Sequence, residues 1–489
     1  MTAPPAATLA HGVPHPAAER RRWLALLVLC LGELMIVLDT TVVTVALPSI
    51  QADLGFTETA LVWVVNAYML TFGGFLLLGG RLGDLYGSRR AFLAGVGLFT
   101  LASLACGLAN SQTLLVIARA LQGLAGAVVS AVALSLIVNL FERADERARA
   151  MGVYGFVCAG GGSLGVLLGG LLTHVLSWRW VFLINLPIGI AVVLLSLRLV
   201  DNPPGSATTR LDVAGALSVT LALMLAVYAV VDGNAAGWGS GQTLSLLAVA
   251  VLLLAVFFVV ESRSKAPLMP LGLLRLRQLA TANMIGVLWS AAMFAWFFIA
   301  ALYLQQLLHY SPLQVGLAFL PANLVMAWFS LGLSARLALW RGFRWPVMVG
   351  LLLTAGGLAC FALAPLDGRY VLHVLPGMLL LGLGTGMALN PLLLAAMSEV
   401  GPQDAGLASG VVNTAFMMGG ALGLAVLASL AGARTQAQGG SPEAALLAGY
   451  QLAFAAGAGF ALLGAALAGL GLRAGRTEAA PEAGPSVMS

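Results

Sequence analysis

Apolar residues fill this chain in long runs separated by short polar turns. Fourteen of these runs match the roughly 20 residues a helix needs to cross a bilayer. The first six are Leu24–Leu47, Leu61–Gly80, Ala91–Ala109, Thr113–Leu140, Ala150–Leu172 and Val181–Val200. A pair follows, Val213–Val231 and Leu244–Val260, and then six more: Ala280–Leu304, Val315–Leu337, Pro346–Ala364, Val371–Ala396, Leu407–Leu430 and Tyr450–Leu472. The pattern predicts an all-α integral membrane protein of about fourteen transmembrane helices. Its expected organisation is a six-helix bundle over 23–202, two linker helices over 211–262 and a second six-helix bundle over 280–473. Disordered cytoplasmic tails are expected at 1–22 and 474–489.

Composition agrees with lipid as the main solvent. Of 489 residues, 60% are hydrophobic and 9% charged, against roughly a quarter charged in soluble proteins. The net charge of +5 is therefore no sign of nucleic-acid binding; the useful information is where the cations sit. With the N-terminus inside the cell, twenty of the 24 Lys and Arg residues fall on the inner side. Three (Arg179, Arg369, Arg434) fall outside, and Arg119 lies within a span. That asymmetry is the one expected of cytoplasmic loops and places both termini in the cytoplasm. The first run follows an Arg cluster, as a signal peptide would, but it is too long and contains two acids, so it reads as a retained helix.

An internal repeat supports two related bundles. Laying "MGVYGFVCAGGGSLG" over "SGVVNTAFMMGGALG" brings Gly152 onto Gly410, Gly161 onto Gly419 and Gly165 onto Gly423. A weaker match sets "YGSRR" at Tyr86 over "RGFRW" at Arg341. Paired bundles with a binding site between them are a common transporter architecture.

Glu33 and Asp39 are the two acids well inside a span. An ionised carboxylate at mid-bilayer costs about 2.5–3.5 kcal/mol, so each needs a reason to be there. Six residues apart, they point roughly 120° away from each other on a helix and cannot share a narrow face. One is free to look into a cavity while the other meets a neighbouring helix. Arg119 lies at a depth similar to Asp39 on an antiparallel span, which makes the two a pair, either proton-coupling or purely structural. Glu33 has no cation at its depth. It is suited to proton transfer or to holding a lipophilic cation, the alternative being a neutral acid bonded to a nearby helix. Further polar residues within spans, Asn66, Tyr68, Gln122, Gln305, Gln306, Asn323, Asn390 and Asn413, are candidates for the cavity wall, with Trp63, Trp289, Trp296 and Phe297 as aromatic ones.

The turn "GGRLGDLYGSRR" pairs small residues, Gly80 and Gly83, with Asp84, Gly87, Arg89 and Arg90. It resembles the inner-loop signature of the major facilitator superfamily, with Gly80, Leu82, Asp84, Gly87 and Arg89 in register and Ser88 where a basic residue is common. "LDTTVVTVALPSI", "RALQG", "SWRWVFLINLPIG" and "YLQQLLHYSPLQVGLAFLP" resemble the fourteen-helix drug:proton antiporters of the multidrug efflux type, with His309 in place of a usual glycine. The resemblance implies proton-coupling roles for Asp39 and Arg119 and a conformational latch around Asp84. It also implies a gating ridge of Gly161, Gly165, Gly169 and Gly170 in the fifth span, where Val166 replaces the family's proline.

The resulting expectation is a proton-coupled secondary transporter in a bacterial-type plasma membrane. It would export small lipophilic substrates, cationic ones included, by alternating access, as a monomer and without cofactor, metal or nucleic acid. The alternative is a uniporter or symporter of the same fold for a nutrient or metabolite. An intramembrane enzyme is disfavoured, because no HExxH and no G-x-S-x-G with a partner is present. An ATP-driven pump is disfavoured because the single lysine, Lys265, follows no phosphate-binding loop.

Overall fold

The computed structural model describes residues 16–141, 143–200, 212–264, 267, 272–401 and 405–473. The first bundle contains α1 (Pro16–Leu54), α2 (Glu58–Tyr86), α3 (Ser88–Gly107), α4 (Gln112–Leu140), α5 (Ala144–Val175) and α6 (Trp180–Leu199). Next come α7 (Val213–Ala236) and α8 (Gly241–Arg263). The second bundle contains α9 (Arg277–Leu302), α10 (Pro312–Trp328), α11 (Arg344–Ala362), α12 (Leu375–Met397), α13 (Ala405–Ala437) and α14 (Pro442–Gly471). No strand occurs among the described residues. Thirteen of these helices are long and apolar enough to span a bilayer. The fourteenth, α10, has 17 residues and continues through a π-helical turn, Phe329–Leu333, into a short helix, Ser334–Arg341. Residues 16–22, placed within the N-terminal tail by the hydropathy pattern, form the first turns of α1. The rest of that tail, and residues 474–489, lie outside the described residues.

Polar residues at the turns set the helix starts. Thr57, Ser111, Asp212, Ser240 and Ser441 each accept a hydrogen bond from a first-turn amide, and Ser311 with Gln314 forms a complete capping box. Such caps satisfy amides that have no partner within the helix. The α2–α3 turn is tight, because α2 runs to Tyr86 and α3 begins at Ser88, with Gly87 alone between them at φ +92°. Gly342, its counterpart in the repeat, sits at φ +75°. Only glycine adopts that region without steric cost, so the weaker sequence match marks the same turn in both halves. His309 stands at φ +54° between α9 and α10, which explains why a glycine is at home there.

The glycines of the stronger match do equivalent work. A Cβ at Gly165 would lie 1.8 Å from Thr41 Oγ1 on α1, and one at Gly423 would lie 2.1 Å from Ala291 on α9. The fifth helix of each bundle thus presses its backbone onto the first, as small residues permit in membrane helices. α5 passes Val166 without a break, and the Val166 carbonyl comes within 2.9 Å of a Cβ built at Gly316 of α10.

The two bundles meet along two seams, α2 with α13 and α5 with α10. The helix α7 packs against both α2 and α13 and pairs with α8. A Cβ at Gly74 of α2 would meet Thr220 of α7 at 1.8 Å. The outer face of α8 exposes Leu244, Val251 and Leu252, as a helix surrounded by lipid does. The N-terminal arginines, the Gly87 and Gly342 turns and the end of α14 share one end of the molecule, called here the basic end; the Gly55, Gly237 and Gly440 turns mark the far end.

Gly169→Ala is expected to lose about 1–3 kcal/mol by overpacking, since its Cβ would fall 2.6 Å from the Val42 carbonyl oxygen. Gly162→Ala, with nothing within 4 Å, is expected to be neutral or to gain up to about 1 kcal/mol of helix propensity. Melting temperatures in detergent separate the two, and equal behaviour would contradict the packing described.

Candidate functional site

The two acids of α1 face different surroundings. Asp39 is fully buried and Arg119 is 2% exposed. Arg119 Nη1 donates to Asp39 Oδ2 at 2.5 Å and to Gln122 Oε1 at 2.8 Å, while Nε donates to the Val64 carbonyl at 2.9 Å. The other carboxylate oxygen, Oδ1, accepts from Gln122 Nε2 at 3.0 Å and Asn185 Nδ2 at 2.9 Å. Ser103 joins them by accepting from Gln122 and Asn185. The guanidinium also lies over the ring of Tyr68, 4.4 Å from its centroid. α1, α2, α3, α4 and α6 therefore converge on one ion pair. A buried pair survives only when its remaining lone pairs and protons are satisfied, and this one has both an amide network and an aromatic face.

Glu33 is 6% exposed and lines a cavity of about 750 Å³. Ser130 Oγ is 2.8 Å from both of its carboxylate oxygens, and the Tyr154 hydroxyl also bonds to it. Both named partners are neutral. The cavity runs from Thr40 and Tyr68 near mid-depth to Arg81, Asn139 and Ser409 towards the basic end. Its walls come from α1, α2, α4, α5 and α13, and Arg81 is the one cation among the described lining residues. Ile36, Val37, Phe72, Leu76, Leu77, Leu134 and Met417 make most of the remaining wall apolar.

The far end is shut. Gln305 donates to the Val45 carbonyl at 2.9 Å, Gln306 to Gln51 at 2.7 Å, and the Tyr450 hydroxyl lies 2.7 Å from Gln306 Oε1 and 3.2 Å from Glu58 Oε1. Trp296 sits below this layer, its ring 4.4 Å from Phe297 and 5.3 Å from Phe319. The molecule is thus closed at one end and hollow towards the other.

The other polar candidates are scattered. Asn413 lines the cavity. Asn66 donates across the bundle seam to the Ala421 carbonyl at 2.9 Å, and Gln122 belongs to the ion-pair network. Asn390 donates to the Ser330 carbonyl and Ser334, supporting the π turn of α10. Asn323 is buried on α10. Gln305 and Gln306 belong to the far-end closure. Of the aromatic candidates, Trp63 packs on Tyr228 and Trp289 on Phe416. In the basic-end turn, Gly83 and its neighbour Gly79 press on α4, where added Cβ atoms would meet Val132 and Val128, whereas Gly80 lines the cavity. Arg89 donates to the Leu197 carbonyl near the end of α6, and Arg90 is exposed. The side chain of Asp84 lies outside the described residues. Gly161, Gly165 and Gly169 face α1, while Gly170 abuts Pro312 of α10.

Four contributors were not singled out from the sequence: Asn185, Ser103, Ser130 and Tyr154. Asn185 lies inside the "SWRWVFLINLPIG" stretch, so a polar side chain in an apolar context was visible there. The other three are small or amphipathic residues common in membrane helices and carry no such signal.

Arg119→Gln leaves a buried carboxylate without its cation and is expected to cost about 3–5 kcal/mol, read as a lowered melting temperature in detergent. Combining it with Asp39→Asn is expected to recover much of that loss. Equal melting temperatures for the single and double variants would show that charge compensation is not what holds the network.

Comparison with known proteins adds to this geometry. Residues 29–424 match the Major Facilitator Superfamily. The chain is 41% identical over 482 residues to the puromycin resistance protein pur8 of Streptomyces alboniger, covering 96% of this chain and 95% of that one. It is 40% identical over 421 residues to the cephamycin export protein CmcT of Amycolatopsis lactamdurans, covering 86% of each. With the multidrug resistance protein Stp of Mycobacterium tuberculosis it shares 38% identity over 412 residues, 84% of this chain and 76% of that protein. A bacterial homologue of the human lysosomal transporter Spinster, solved inward-facing and occupied, superposes with a TM-score of 0.68 at 16% identity, covering 92% of this chain and 96% of that one. That likeness concerns the fold. From the helices, the two bundles, the cavity and these matches together, the chain is a multi-pass membrane transporter, not an enzyme, and it belongs to the Major Facilitator Superfamily, among relatives of the drug-efflux type.

Proposed function

We propose that this protein is a proton-coupled exporter of small lipophilic molecules, cationic ones included, working by alternating access. The observation that carries the reading is the division of labour on α1: Glu33 faces a mostly apolar cavity while Asp39 is held by Arg119 behind it. A lipophilic cation fits beside Glu33, whose named partners are neutral hydroxyls that a cation can displace. Proton and substrate then compete for the same carboxylate, and each changes the affinity for the other, as linkage requires. Asp39 is the second proton site: taking up a proton there releases Arg119 and frees the bundles to rock, so the two carboxylates share the coupling. The relatives named for resistance to, or export of, puromycin, cephamycin and multiple drugs support export as the direction and antibiotics as cargo.

The same reading makes the basic end cytoplasmic, with both termini inside and the cavity open to the cell interior. The rocking bodies are 23–202 and 280–473, carried with 211–262 between them, and the protein acts as a monomer. The α2–α3 turn with Asp84, Arg89 and Arg90, and the glycines of α5, are the parts that must move against neighbours when the basic end closes.

In inverted vesicles with an imposed pH gradient, ethidium is expected to collapse the gradient with the wild-type protein and not with Asp39→Asn. Glu33→Gln is expected to lose ethidium while keeping any neutral substrate. Transport unchanged in Asp39→Asn and indifferent to pH would reject the coupling role.

In a background without its four cysteines, a cysteine at Gly239, in the far-end turn after α7, is expected to react with an impermeant maleimide on intact cells. One at Arg90 is expected to react only after permeabilisation. The reverse pattern would invert the orientation and, with it, the direction of export.

A further inference from the structure

Tyr68 stands where the cavity meets the ion pair. It is 1% exposed and lines the cavity near its deep end. One face of its ring lies on the Arg119 guanidinium, 4.4 Å from Cζ, a cation–π contact in a desolvated setting. Phe72, one turn along α2 and also in the cavity wall, is nearly parallel to it, with centroids 5.8 Å apart and planes at 19°. Asp39, Arg119 and Glu33 are all within electrostatic reach of its hydroxyl. That hydroxyl lies 3.1 Å from a Cβ built at Gly126, so any larger residue there would crowd it. It has no hydrogen-bond partner among the described residues.

A buried phenol normally finds a partner. Here the lack of a side chain at Gly126 lets the hydroxyl lie against α4 without an acceptor, Phe72 extends the aromatic surface, and the guanidinium fixes the ring from behind. We propose that Tyr68 is a substrate-recognising residue. Its hydroxyl donates to a carbonyl or ether oxygen of a planar aromatic substrate stacked along Phe72, and its ring carries the occupancy of the cavity to Arg119. The inference rests on the exporter reading only in taking the cavity as the substrate site. It separates two kinds of recognition: Glu33 reads positive charge, and Tyr68 reads an acceptor oxygen. Sites built to donate to a substrate oxygen discriminate strongly against analogues that lack it.

Two planar cations test this on the full-length protein in detergent, without any proton gradient. Rhodamine 6G carries ester and ether oxygens, whereas ethidium carries neither. Tyr68→Phe keeps every ring contact and its melting temperature serves as the folding control. It is expected to raise the Kd for rhodamine 6G about tenfold, the loss of one buried hydrogen bond, and to leave the Kd for ethidium within about twofold. In vesicles the same variant is expected to raise KM for rhodamine 6G and keep its maximal rate. Tyr68→Leu, which takes the ring from Arg119, is expected to lose maximal rate as well.

Equal changes for the two dyes in Tyr68→Phe, or no change for either, would overturn the recognition role. Wild-type protein that binds neither dye would overturn it too, since the cavity would then not accept planar aromatic cations. A wild-type maximal rate in Tyr68→Leu would remove the link to Arg119. Dye binding that follows the expected pattern, with uptake indifferent to the pH gradient, would leave this inference standing and reject proton coupling alone.

Discussion

A full positive charge buried among helices is the constraint on which the first bundle turns. Removing a guanidinium from water costs several kcal/mol unless it is paired and its remaining donors are used. Arg119 meets that requirement with Asp39, Gln122 and the Val64 carbonyl, and with the ring of Tyr68 over its face. Satisfying the second oxygen of Asp39 draws in Asn185 and, through it, Ser103. Five helices are therefore held to one point by polar contacts, beside the close packing that glycines such as Gly79 and Gly83 allow between α2 and α4. Between apolar helices in lipid the hydrophobic effect offers no preference for one rotation over another, and buried polar groups supply it.

The second organising feature is the asymmetry between the two ends. At the far end the bundles share side-chain hydrogen bonds, laid over a cluster of aromatic rings that belongs to the second bundle; towards the basic end the space between them is the cavity. The seams behave accordingly. α13 stays against α2 from Asn66 and Ala421 to Gly73 and Thr414, with α7 pressed onto both helices. On the other side, the α5–α10 contact is built around Val166, Gly170, Pro312 and Gly316, nearer the far end. The linker pair thus has a structural place, bracing one of the two seams.

Much of the architecture was legible in the chain because membrane insertion writes it in long runs. The fourteen apolar segments, the repeat and the separate faces of Glu33 and Asp39 all follow from periodicity and from the energetic penalty of charge in oil. The pairing of Asp39 with Arg119 followed from matching depths. What could not be read was rotation about each helix axis. Gln305, Gln306 and Gln122 are as polar as Asn413, yet the first two close the far end and the third supports the ion pair, while Asn413 alone of these lines the cavity. Hydropathy fixes how deep a residue lies, not which neighbour it faces. The π turn of α10 was equally hidden, because the run Val315–Leu337 is uninterrupted in hydropathy. Its support, Asn390 bonded to the Ser330 carbonyl, comes from a helix some sixty residues away.

The far-end closure has a property set by its chemistry. Its contacts run between amides, a backbone carbonyl and a phenol, and its one carboxylate, Glu58, is approached by a neutral hydroxyl. None of these contacts pairs opposite charges. Ionic strength, which shortens the Debye length from about 30 Å in dilute medium to about 3 Å at molar salt, has little there to screen. Salt that would loosen a latch made of ion pairs leaves this one unchanged.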